Sequence, residues 1–313
     1  MIARRLLTGL GSLALLSLVV FVGVDLLPGD PVTSRVGPGT SPERVAELRH
    51  HLGLDRPVLV RYGEWLAGLA GGDLGTSASG RPVTALLSDR VGNSAVLAGI
   101  SVLLLAPLSL GLGVWAAWRR GRAVDRIVST GALLLVSVPE FVVAGALVLL
   151  FAVTLRVLPA VSLLPVGASP LAHPDVLVLP VLSLLLVGLA YAVRVIRASA
   201  ATTLTSPHVE FLRLGGASEA VVLRRAVVPA VLPVAVQVWL VSGVSFVGGA
   251  VLVEKVFGYP GIGELLVSSV QIGDLPVVQA LVLLLGGAML LVLVLADLAV
   301  VLLTPRLRTA VAR

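Results

Sequence analysis

The residues of this chain that could do chemistry are few and far apart. There are four histidines, His50, His51, His173 and His208, and none lies within an apolar run. There is no cysteine, which excludes disulfides, thiolate nucleophiles and thiolate metal sites. An intramembrane Ser–His hydrolase would lack its base, and a His-rich metalloprotease would lack its ligands. His50 and His51 are sequence neighbours, so on a helix they point to different faces and read as a solvated pair. No GxxxxGK[ST] stretch is present, so this chain has no P-loop to cradle a nucleotide. Within the expected bilayer-spanning segments only Glu140 and Asp297 carry charge. A proton- or sodium-driven carrier usually needs more intramembrane polar groups than that, and no inverted pair of broken helices is visible. A passive pathway whose energy comes from elsewhere is the reading left; a secondary carrier and a membrane enzyme are the disfavoured alternatives.

Long apolar elements must position these residues. Of the 313 residues 57% are apolar and 13% charged, about half the charged share of a soluble domain. Mean hydropathy is +1.05. Charge-free runs cover Leu6 to Val24, Val91 to Trp118, Val176 to Val193, Ala226 to Val253 and Leu275 to Ala296, and Ile127 to Leu155 is interrupted only by Glu140. A helix needs about 20 apolar residues to cross the hydrocarbon core. The pattern predicts an all-α polytopic membrane protein with six transmembrane helices. The first run is too long for the h-region of a signal peptide and leads into Asp25 and Leu26-Leu27-Pro28-Gly29-Asp30-Pro31 without a small-x-small cleavage site, so it is expected to stay as a membrane helix.

Six spans put both ends on one side. If that side is inside, the inner segments hold 14 cations against Asp125, Glu210 and Glu219, whereas the outer segments hold 9 cations and 12 acids. Lys/Arg bias sets orientation, so both termini are expected in the cytoplasm. The same bias explains the net charge of +6 without nucleic acid as a partner. The expected divisions are an N-terminal membrane helix (1–27), a small extracytoplasmic domain between the first two helices (28–90), a core of five helices (91–305) and a cytoplasmic tail (306–313). In the outer domain Ser41, Pro42 and Glu43 read as a helix start and Gly53 as its end.

The core contains a 32-residue inner loop, 194–225. Pro207 suits the first helical position and Glu210 complements the positive end of the same helix. Gly215-Gly216 permits a left-handed stop, and Ser218 can cap the helix that follows. The loop therefore predicts a short helix, a sharp turn and a helix running into the fifth span. Phe211 and Leu212 would supply an apolar knob for a partner's groove; an ordinary interfacial loop has the same composition.

Here the sequence resembles a known family. Glu210, Gly216 six residues on and Pro229 thirteen further match the spacing of the EAA motif in permease subunits of binding-protein-dependent ABC importers. The resemblance spans nearly the whole chain and is closest to the B-type permease of the dipeptide/oligopeptide/nickel group. It is carried by Leu26-Leu27-Pro28-Gly29-Asp30-Pro31, Leu52-Gly53-Leu54-Asp55-Arg56-Pro57, Arg61-Tyr62, Gly72-Asp73-Leu74-Gly75, Ser137-Val138-Pro139 with Phe141, Val253-Glu254 with Phe257, Pro260-Gly261 and Gly263, Asp274 with Pro276-Val277-Val278-Gln279, and Pro305-Arg306. The alanines that follow the motif's Glu in that family are Phe211 and Leu212 here. The resemblance implies a type I ABC importer permease fold in a prokaryotic plasma membrane. It implies a C-type permease homologue as heterodimer partner, two ATPase subunits docking on the loop, and an extracytoplasmic binding protein that delivers peptide, or nickel as the alternative. No cofactor is implied in this chain, since ATP and magnesium would sit on the ATPases.

Glu140 needs its own account. At about 1.5 Å per residue, a continuous helix from Ile127 carries it roughly 20 Å into the bilayer, with Pro139 beside it removing a backbone donor. It is expected to face a wet pathway or to pack, hydrogen-bonded or protonated, between helices. The topology is directly testable: reporter fusions after Arg122 and Arg213 are expected to read cytoplasmic, and fusions near Ser79 and Ser169 external. An external signal at Arg213 overturns the orientation.

Overall fold

The computed structural model describes residues 2–25, 41, 43, 46, 47, 50, 55–165 and 167–303. The 26–31 stretch, Pro42, Gly53 and the Pro305-Arg306 close lie outside the described residues. Among those described, the chain is helical apart from loops and one isolated bridge between Thr76 and Pro82. Helix α1 (Ile2–Asp25) comes first. Helix α2 (Val58–Ala70) leans on it through the rings of Phe21, Tyr62 and Trp65, 5.5–6.0 Å apart. A 2.7 Å bond between the Ser17 and Tyr62 hydroxyls joins the two helices; rings with a polar tip suit such a boundary position.

Among the described residues, four helical paths are long and apolar enough to cross a membrane. They are α3 (Val83–Trp118), α6 (Pro174–Leu204), the path formed by α8 (Glu219–Val222) and α9 (Val228–Phe257), and α11 (Leu275–Leu303). A bent pair, α4 (Ala123–Val136) with α5 (Glu140–Leu147) and the π-helical stretch Val148–Thr154, passes the same test only when its two arms are taken together. The apolar part of α1, Leu7–Gly23, is shorter.

The bent pair corrects a sequence expectation. The 127–155 run is not one helix: α4 and α5 meet at 107°. Proline disfavours helical geometry in the residue before it and removes a backbone donor. Pro139 sits at φ −58°, ψ 143° and starts a new helix by accepting from the N–H groups of Val142 and Val143. Depth counted along one axis from Ile127 therefore does not apply to Glu140.

Packing divides into three clusters. The largest brings Leu97 and Leu105 of α3, Leu184 of α6 and Phe246, Val253 and Phe257 of α9 together with Tyr259 beyond. A second, at the opposite end, joins Val114 of α3, Ile196 and Ala200 of α6, and Val227 and Val231 to the short helix described below. The third joins the start of α3 to α11 and α10 (Ile262–Ile272) through Val83, Leu265 and Leu281.

The start of α10 shows how a helix end is kept inside this fold. Its first three N–H groups have no intrahelical partner. Ser94 Oγ accepts from Ile262 N, and Glu254 Oε2 accepts from Gly263 N at 2.7 Å and Glu264 N at 3.2 Å. Ser94 donates in turn to Glu254 Oε1. The carboxylate is fully buried and lies on the positive end of the helix dipole. A Cβ at Gly261 would collide with it, and one at Gly263 would collide with the Val251 backbone, so both positions demand glycine. Asp274 does a similar task next door: its Oδ2 accepts from Ser77 Oγ and Ala78 N, tying the loop before α3 to the start of α11. Removing an acceptor that serves three donors costs about 2 kcal/mol or more. Glu254→Ala is therefore expected to lower the thermal midpoint of the solubilised protein, with Glu254→Gln, which keeps one acceptor, in between; an unchanged midpoint for Glu254→Ala contradicts the capping role.

Candidate functional site

Residues 207–222 fold as a helix–turn–helix. After α6 ends, Ser206 adopts extended geometry and Pro207 occupies the first turn of α7 (Pro207–Leu214). A helix of this length has two faces. Val209 is fully buried in the second cluster and Leu212 packs against it, one turn on. The other stripe is Pro207, Glu210, Phe211 and Leu214, all exposed, with Phe211 73% and Leu214 82% accessible. Leu212 is thus an anchor rather than part of the outward knob. Leu214, which the sequence reading missed, takes that place: three- and four-residue spacing puts 207, 210, 211 and 214 on one side. Glu210 stands in the first turn without a hydrogen-bond or ion-pair partner among the described residues.

The turn after α7 is tightly specified. Ala217 N donates to Leu212 O and Gly216 N to Arg213 O, each at 3.0 Å, the paired bonds of a Schellman stop. Gly216 has φ +80°, whereas Gly215 stays at φ −76°, so only the second glycine carries the left-handed demand. Ala217 and Leu212 both pack on the second cluster, the apolar contact that accompanies this motif. Ser218 takes up cap geometry for α8, but its side chain makes no capping bond.

A polar clamp fixes the turn laterally. Arg213 grips Glu219 with two bonds, Nε to Oε1 at 2.8 Å and Nη2 to Oε2 at 3.1 Å. Trp118 at the end of α3 donates Nε1–H to Glu219 Oε2 at 3.0 Å. Both charged partners are about two-fifths exposed, so the pair adds little stability; its fork geometry sets direction. Beyond α8 the chain widens into a π-helical stretch, Leu223–Val227. Pro229 has no N–H to give four residues back, and its ring crowds the Arg225 carbonyl; the wider turn before it absorbs that. The loop helix thereby runs without interruption into α9.

Glu140 and Pro139 lie elsewhere, at the break between α4 and α5. The Glu140 carboxylate rests against the Gly249 backbone of α9, where a Cβ would collide with it. The side chain is half-buried and has no partner among the described residues. The structure therefore presents two separate sites: a loop that offers an exposed apolar and acidic face, and an unpaired carboxylate at a bent helix.

Comparison with known proteins bears on both. Residues 109–309 match the family model for the binding-protein-dependent transport system inner membrane component, and residues 1–100 match that for its N-terminal region. A protein of Sinorhizobium fredii named as a probable peptide ABC transporter permease is 34% identical over 315 residues, with 98% of each chain covered. A Brucella abortus protein named provisionally as a peptide transport system permease is 35% identical over 312 residues, again with 98% of each covered. The glutathione transport system permease protein GsiC of Salmonella choleraesuis is 34% identical over 309 residues and 98% of each chain.

Proposed function

We infer the following for a chain that belongs to the family of binding-protein-dependent transport system inner membrane components and is a permease subunit of an ABC importer in the inner membrane. Its substrate is a peptide, the class named for the Sinorhizobium and Brucella relatives. It crosses the membrane six times with both termini inside, α1 and the bent α4–α5 pair each counting as one pass. A C-type permease homologue completes the pathway, an extracytoplasmic binding protein delivers substrate, and two ATPase subunits hold the ATP and magnesium.

The observation that carries the coupling role is the outward stripe of α7. A monomer gains nothing by holding Phe211 and Leu214 in solvent beside an unpaired Glu210, while Val209, Leu212 and the Arg213–Glu219–Trp118 clamp fix the helix beneath them. A partner groove would bury the two apolar side chains and give the carboxylate a donor. ATP-driven closure of the ATPases would then move α7, and α9 with it, shifting the population toward an outward-open state.

A reconstituted complex tests this. Gly216→Val forces a β-branched residue into the left-handed region, at about 1–2 kcal/mol, and Phe211→Asp puts a charge into the contact. Both are expected to reduce ATPase stimulation by loaded binding protein several-fold in complexes that still assemble. Wild-type stimulation in both removes the coupling assignment.

Glu140 is proposed to line the pathway and to attract a cationic group of the peptide, its terminal ammonium or a basic side chain. An unpaired carboxylate at a broken helix is costly unless it meets water or a cation. Glu140→Gln keeps shape and removes charge. It is expected to reduce uptake of cationic peptides relative to neutral ones; an unchanged ratio leaves Glu140 a packing residue.

A further inference from the structure

A groove of about 370 Å³ lies between α4 and α6, lined by Ser129, Leu133, Arg194, Arg197 and Ala198. We propose that it holds the phosphate of an anionic phospholipid from the cytoplasmic leaflet. The proposal goes beyond transport and rests on the inward placement of the 194–225 loop, which the fusion at Arg213 checks separately.

The groove is built from two arginines in different states. Arg197 is held by Asp125, Nε on Oδ1 and Nη2 on Oδ2 at 2.8 Å. Asp125 is buried and also accepts from Gly121 N at 2.9 Å and Ser129 Oγ at 3.3 Å. The bidentate grip uses two of the five guanidinium N–H donors and leaves three in a fixed orientation. Arg194, one helical turn earlier on α6, has no acidic partner among the described residues. Asp125 neutralises Arg197, so the groove keeps the net charge of Arg194 and donors from both. That set suits a monoanionic phosphate diester.

Its surroundings select a lipid over a free anion. Arg194 is the first charge after the Val176 to Val193 run, which puts it at headgroup level. Leu133 forms one wall, and Ile127 and Leu134 stand exposed nearby on α4, at 72% and 64%. Cations at the boundary and apolar side chains along the adjoining helix reproduce the two halves of a phospholipid; basic pockets between helices on the cytoplasmic side bind such headgroups.

The assembled transporter is to be reconstituted in equal parts phosphatidylglycerol and phosphatidylcholine, and its retained lipid measured by native mass spectrometry. The wild-type complex is expected to retain phosphatidylglycerol several-fold over phosphatidylcholine, and Arg194→Gln to lose most of that preference. Equal preference in the variant overturns the site. Displacement of the lipid by inorganic phosphate overturns the lipid assignment in favour of a free-anion site. A second measurement needs no variant: modification of Arg194 by phenylglyoxal is expected to be several-fold slower in phosphatidylglycerol than in phosphatidylcholine, and equal rates contradict the proposal.

Discussion

A backbone N–H or carbonyl in hydrocarbon has no water to bond, so each must find its partner inside the protein. Within a helix this is automatic. At a break it is not, and each break in this fold carries its own solution. Glu254 and Ser94 take the three free donors of α10. The Pro139 carbonyl restarts the chain after the bend between α4 and α5. Gly216 and Ala217 return two carbonyls of α7 to bonding. The apolar helices are fixed by length and packing; the functional positions are the places where the ladder is interrupted and then repaired.

These repairs share one helix. The 30 residues of α9 span about 45 Å, and its first turn continues α8 through the π-helical stretch. Its far end carries Glu254, which caps α10, and Gly249 lies under Glu140 between the two. Through the Gly216 turn, α8 and the π-helical stretch, α7 is therefore joined covalently to the helix that passes the unpaired carboxylate. The second cluster makes α7 move with α6 and α9 rather than hinge alone, because Val209 and Leu212 are packed into both.

Much of this was legible in the sequence. Charge-free runs gave the long helices because hydrocarbon tolerates little else, and Pro207 and Gly216 marked both ends of α7 because their backbone demands are local. Longer-range features were not. The bend at Pro139 depends on whether a helix kinks or restarts, and Pro139 alone does not decide that. Phe211 and Leu212 looked alike as apolar residues after Glu210; only the packing of Val209 on the second cluster shows that 212 turns in and 214 turns out. Ser218 has the residue type of a cap without the bond. The Glu219 clamp joins positions 118, 213 and 219, and the Glu254 cap joins 94 with 254 and 262–264; no local pattern signals either pairing.

The central claim is that the Glu210, Phe211 and Leu214 face of α7 meets the ATPase. The chain has no cysteine, so a single introduced one gives a unique attachment point. Leu214→Cys and Leu212→Cys, each labelled with a benzophenone and irradiated in the assembled transporter, measure the contact directly. The expected result is an ATPase adduct from position 214 and none from 212. Capture from 212 without capture from 214, or only lipid adducts from 214, would contradict it.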